Sequence, residues 1–149
     1  MDWDECNTKN YVKRISVDTE LVESLIISSE KRFHTAERLK VDDTTASTLV
    51  TLYYDTLREL LEAQSILKGF KIYNHDCYCA FLKEVLVEKE IGDSFDRFRK
   101  IRNGINYYGK DIDVQSAADI IEEIKVLIDV VKKKIGGKNA NKTIRSKKD

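Results

Sequence analysis

The sequence contains no proline, six glycines, one methionine, one tryptophan, two histidines and three cysteines in 149 residues. Average usage of about 5% would predict roughly seven prolines. Without them, and with little glycine, the chain has too little turn punctuation for a many-stranded sandwich or barrel. Long helices are therefore expected. Low glycine excludes a collagen-like repeat, and three cysteines are too few and too unevenly spaced for a disulfide framework. Cys6, Cys77 and Cys79 fit packed, reduced thiols in a cytoplasmic protein. No run approaches the ~18 apolar residues of a membrane span. The start, Met1-Asp2-Trp3-Asp4-Glu5, is acidic and lacks the apolar stretch of a signal peptide.

Charge is abundant: 35% of residues are Asp, Glu, Lys or Arg, with 26 of each sign. The zero sum hides an asymmetry. Residues 132–149 carry eight bases and one acid, so the preceding body is −7 and the tail +7. Such a tail suits an anionic partner or simply a solubilising end.

The apolar periodicity is helical almost throughout and predicts an all-α, up-and-down bundle of about five helices. Asp18 reads as the N-cap of the first, with Leu21, Leu25, Ser28, Arg32, Ala36 and Leu39 along one stripe. The second starts after Asp42 or Asp43 and stops at Gly69. A short third helix opens at Asn74, and a fourth follows Gly92-Asp93. The last runs from about Asp113 to Ile135, ending at Gly136-Gly137. No alternating run is long enough for a sheet. Residues 1–17 read as a segment packed on a bundle of residues 18–136, and residues 137–149 as a basic disordered tail. Tyr53-Tyr54 is expected to place one ring in the core and one at the surface.

Sites for chemistry are few. His75-x-Cys77-x-Cys79, with Cys6 as a fourth group, offers soft metal ligands, but residues two apart on a helix do not share a face. The preferred reading is no metal and no cofactor. Asp42-Asp43 and Glu122-Glu123 read as capping and solvated charges. The fourth helix stands apart: Phe95, Phe98, Ile101, Ile105 and Tyr108 form an apolar arc, and Arg99, Arg102, Asn103, Asn106 and Lys110 an adjoining polar one. Asn103, Gly104 and Asn106 are all poor interior helix residues. Three such costs beside an arginine indicate a site or a close helix contact. Arg and Asn suit phosphate or base edges, and Tyr107 suits stacking.

With its long helical pair, short helix, Arg102-Asn103 dipeptide and long final helix, the chain resembles a HEPN domain over about residues 10–135. The lead-in Val12 to Asp18, followed by Leu21 to Arg38, is similar to the first helix of small prokaryotic members. The resemblance implies an all-α homodimer in which an Arg, a polar residue and a downstream His meet at a dimer cleft and cut RNA without metal. Here Tyr107 stands where that His is expected, and a tyrosine of ordinary pKa near 10 is a poor base at neutral pH. Ligand binding is therefore expected at Arg99, Arg102, Asn103, Asn106, Tyr107 and Lys110. A catalytic set, if active, would be Arg102, Asn103 and Tyr107. The resemblance also implies a minimal nucleotidyltransferase as partner, in toxin–antitoxin fashion, and a binding or protein-interaction module that holds a nucleotide, RNA or a partner protein. The alternatives are a metal-independent endoribonuclease and a purely structural helical dimer.

Overall fold

The computed structural model describes residues 1–136 in full and the backbone of residues 137–148. The helix stop expected at Gly136-Gly137 is corrected, because the last helix continues through that pair; two glycines cost a helix about 1 kcal/mol each without ending it. The side chains of the expected basic tail, 137–149, lie outside the described residues. The order is α1 (Trp3–Thr8), β1 (Val12–Arg14), α2 (Thr19–Glu37), α3 (Ala46–Leu67), β2 (Phe70–Ile72), α4 (Asp76–Ala80), a π-helical turn (Phe81–Val85), α5 (Lys89–Tyr108) and α6 (Val114–Lys148). Helices dominate, as the periodicity requires, and the fold is an all-α bundle.

α3 is the central element. It buries Leu49, Tyr53, Leu57, Leu60 and Leu61 on several faces, with α2 packed along one flank and α6 along another. α6 contributes Ala117, Ile121, Ile124, Ile128 and Val131, the stripe expected from spacing. Asp18 caps α2 by accepting a hydrogen bond from the Leu21 amide at 3.0 Å. Asp113 caps α6 in the same way through the Ser116 amide at 2.8 Å. Each such cap is worth about 1 kcal/mol.

Four further features differ from the sequence reading. First, a two-stranded antiparallel ribbon exists, pairing Val12 with Ile72, Lys13 with Lys71 and Arg14 with Phe70. Strands of three residues are too short to register as a period of two. Gly69, at φ +86°, turns the chain from α3 into β2, a left-handed conformation that glycine adopts without strain. Second, both Tyr53 and Tyr54 are buried. Their neighbours α2, α5 and α6 cover α3 more fully than a simple bundle would, and Tyr53 donates to Glu37 at 2.6 Å. Third, α5 begins before Gly92, which is buried inside it. A Cβ there would lie 2.6 Å from Lys83 Cγ and 3.3 Å from the Cys79 carbonyl oxygen, so the glycine permits close approach of α4 and the π-helical turn.

The fourth difference concerns the cysteines. Cys6 of α1 and Cys77 of α4 form a disulfide with a Cα–Cα separation of 6.0 Å, joining positions 71 residues apart. The expectation of three reduced thiols is corrected for this pair, and only Cys79 remains free. Trp3, on the same short helix as Cys6, packs its ring edge-on against Phe70 at 5.2 Å and tilted against Phe81 at 5.8 Å. Among the described residues no helix is long and apolar enough to cross a membrane.

Candidate functional site

α5 brings its cations to the end of the bundle core. Arg102 follows Phe95 and Phe98 at spacings of seven and four, so it extends their buried face rather than flanking it. Its side chain is only 17% exposed. Its guanidinium carbon lies 5.7 Å from the Tyr54 ring centroid and 6.0 Å from that of Tyr107. The nearest carboxylate contact is Asp55 Oδ1, 3.8 Å from Nη2, beyond hydrogen-bond range. Arg102 Nε is buried without a hydrogen-bond partner among the described residues. The Nε–H of Arg102, like that of Arg99, is a buried donor left unused, which is costly. The geometry therefore presents an enclosed, underused cation to an incoming acceptor.

Tyr54 joins Arg102 to a residue that the spacing did not connect with it. The Tyr54 hydroxyl lies 3.3 Å from Nδ1 of His75, and its ring stacks on Phe95 at 5.4 Å. Burial pushes the His75 imidazole down to about 4, and the Arg58 and Arg102 cations push the same way. It is neutral at pH 7. Burial also holds the Tyr54 phenol well above its ordinary value, against the opposing pull of Arg102 and Arg99. Tyr54 thus links a neutral imidazole to the Arg102 cation, its hydroxyl at His75 and its ring at the guanidinium, while Arg58 is paired with Glu62 at 3.1 Å. That combination offers donors and positive charge to a phosphate oxygen.

The pKa of His75 has a consequence for stability. The unfolded imidazole titrates near 6.5 and the folded one near 4. Between these values the unfolded chain binds more protons. The stability contributed by the neutral ring is therefore present above pH 6.5 and lost as pH falls through the window. An NMR titration of the His75 ring should show a midpoint near 4. A midpoint at the ordinary histidine value would contradict the enclosed geometry.

The other residues of the expected site are only partly gathered. Arg99 is drawn into an internal network, with Nη2 2.7 Å from Asp96 and 3.6 Å from Asp76. Burial alone would raise the Asp96 carboxyl, but hydrogen bonds from Arg99 and Lys100 hold it at about 2. Asn103 is half-buried and Asn106 exposed. Tyr107 is 71% exposed. Lys110 lies elsewhere, in a groove of about 490 Å³ shared with Gly104, Ile101, Ile105 and Ile112.

The metal reading of His75, Cys77 and Cys79 is overturned by the disulfide, which takes Cys77. Cys79 instead faces Asp76 and Asp96, with ligand atoms within 4.8 Å of one another. Arg99 already occupies those carboxylates. Burial, with the Asp96 charge adding, pushes the Cys79 thiol up to about 12, so it is protonated at neutral pH.

His75 and Tyr54 are the residues that spacing did not find. His75 sits at the start of α4 and Tyr54 on α3, so only the tertiary fold brings them toward Arg102. The one signal available was that His75 is one of only two histidines. No family model, no curated protein and no solved structure matches the chain.

Proposed function

We propose that this protein is a HEPN-like binding module that takes the phosphate of a nucleotide or of RNA at Arg102. It acts as a homodimer and works with a minimal nucleotidyltransferase as its partner. The observation that carries the reading is Arg102: enclosed, flanked by two tyrosine rings and without a hydrogen-bond partner at Nε. Tyr107, exposed on one side of that guanidinium, supplies a surface on which a base can stack. Calorimetric titration with uridine 5′-monophosphate tests the reading. Saturable binding is expected, lost in Arg102→Gln. Absence of heat with the nucleotide and with inorganic phosphate would overturn it.

One observation favours a second reading, a metal-independent endoribonuclease. His75, from a different element than the family pattern implies, meets Tyr54, whose ring meets Arg102. Its imidazole, held down to about 4, is a weak base for the ribose 2′-OH proton, and Arg102 stabilises charge on the phosphate in this reading. Asn103, Asn106 and Tyr107 line the approach in this reading. Labelled RNA incubated with the protein in EDTA decides it. Cleavage abolished by His75→Ala supports the enzyme, and intact RNA leaves the binding module as the account.

A further inference from the structure

Two glycines lie inside α5, and the protomer explains only one of them. A Cβ on Gly92 would meet Lys83 Cγ at 2.6 Å and the Cys79 carbonyl oxygen at 3.3 Å, so close packing requires glycine there. A Cβ on Gly104 would meet only Lys110 Cδ, at 3.4 Å, part of a flexible side chain. Gly104 also has no positive φ that would call for glycine. Inside a helix, glycine is destabilising relative to alanine. The chain therefore carries a cost at Gly104 that its own packing does not require. A bare position on a helix serves the close approach of another backbone.

The surroundings of Gly104 indicate what approaches. On a helical wheel Arg97, Lys100, Ile101 and Tyr108 share its face, while Arg102 stands about 160° away. The groove of about 490 Å³ beside Gly104 is lined by Ile101 and Ile105 together with Arg97, Lys100 and Asp111. The apolar stripe that is buried at Phe98 is only partly covered at Ile101 and Ile105. It ends on Tyr108, whose ring is 76% exposed. The face thus combines bare backbone, half-covered isoleucines, an exposed ring and charges of both signs.

We propose that a second copy of this chain docks here, the two α5 helices crossing antiparallel about a two-fold axis at Gly104. It rests on the homodimer of the reading above and assigns the face that forms it. An antiparallel crossing sets Lys100 against the partner's Tyr108, each four residues from the axis. It also carries Arg97 toward the partner's Asp111. A cation over an exposed ring and a pair of opposite charges are both favourable. A parallel crossing would instead set Lys100 against the partner's Lys100 and Arg97 against the partner's Arg97. Charge therefore selects the antiparallel pair. Glycine on both sides lets the axes approach to the short end of the usual ~8–10 Å. A single crossing is small for a specific interface, so dissociation in the micromolar range is expected. The same geometry leaves each Arg102 on the side of α5 turned from the partner. Each protomer then holds its anion with its own residues, and no cleft is shared between copies.

The test is sedimentation velocity of the full chain across the micromolar range, with circular dichroism checking the fold. Wild type is expected to pass from monomer to dimer. Gly104→Gln should raise the dissociation constant about tenfold or more at unchanged helix content, because glutamine is the better helix former and meets only the Lys110 side chain. Tyr108→Ala should weaken the dimer in the same direction. Gly104→Cys is expected to form a disulfide-linked dimer on mild oxidation, and Asn106→Cys, on the opposite side of α5, is not. Uridine 5′-monophosphate should bind Gly104→Gln as it binds wild type, one per protomer. Wild type that stays monomeric at millimolar concentration overturns this face and the homodimer together. A dimer that persists undiminished in Gly104→Gln and Tyr108→Ala overturns this face alone. Nucleotide binding present in wild type and lost in Gly104→Gln overturns the independence of the two Arg102 sites.

Discussion

Reducing the Cys6–Cys77 disulfide is expected to lower the unfolding free energy by about 4 kcal/mol. The bridge closes a loop of 71 residues. In the chain-entropy description a loop of that length constrains the unfolded ensemble by about this amount, within a typical range of 2–5 kcal/mol. The folded state changes less, because α1 is also held by Trp3 against Phe70 and Phe81 and by the Trp3 amide donating to Glu84 at 2.6 Å. Trp3 is the single tryptophan, so its fluorescence reports directly on whether α1 remains docked. Urea unfolding with and without dithiothreitol measures the effect. The midpoint should fall on reduction, Cys6→Ala should match the reduced protein, and Cys79→Ala should keep the response to reductant. Coincident curves with and without reductant would show that the two sulfurs are not bridged.

The second large effect concerns Arg102, and its direction distinguishes function from structure. Arg102 has a buried, unpartnered Nε, and its nearest carboxylate, Asp55 at 3.8 Å, is beyond hydrogen-bond range and partly exposed. Removing a buried unsatisfied donor recovers its desolvation cost, while Asp55 keeps access to water and loses little from so long an ion pair. Arg102→Met is therefore expected to leave stability unchanged or raise it by about 1 kcal/mol, while nucleotide affinity falls at least tenfold. A residue that locks the fold would behave oppositely, with a loss of several kcal/mol. One that locks a dimer would dissociate it. Sedimentation of Arg102→Met alongside its thermal unfolding separates these outcomes. A gain in stability with a loss of binding is the trade-off expected where a site is held at the expense of the fold.

Much of the architecture was legible because it depends on local pattern. The Asp18 cap, the apolar stripe of α6 and the long run of α3 are periodic or positional signals, and each is where the spacing puts it. The departures depend on contacts between distant residues. β1 and β2 are three residues each, so neither shows alternation, and each exists because the other is there. Cys6 and Cys77 have no local signature of pairing, since the bridge follows from α1 folding back across α4. Tyr53 and Tyr54 both enter the core because α3 is covered on several sides, which no single-helix wheel conveys. At the candidate site, the unfavourable Asn103, Gly104 and Asn106 drew attention to α5. The residues that enclose Arg102, however, come from α3 and the start of α4. A helical wheel places Arg102 beside an apolar arc but carries no information about Tyr54 or His75.

The central claim is that the Arg102 guanidinium receives an anion. The most direct measurement is the NMR signal of the Arg102 Nε–H group during titration with uridine 5′-monophosphate, assigned by its loss in Arg102→Gln. The account predicts a saturable shift of that signal, with Arg97 Nε–H unmoved because its guanidinium is already paired with Glu123 on the far side of α5. An Arg102 signal that stays in place while nucleotide binds elsewhere would contradict it.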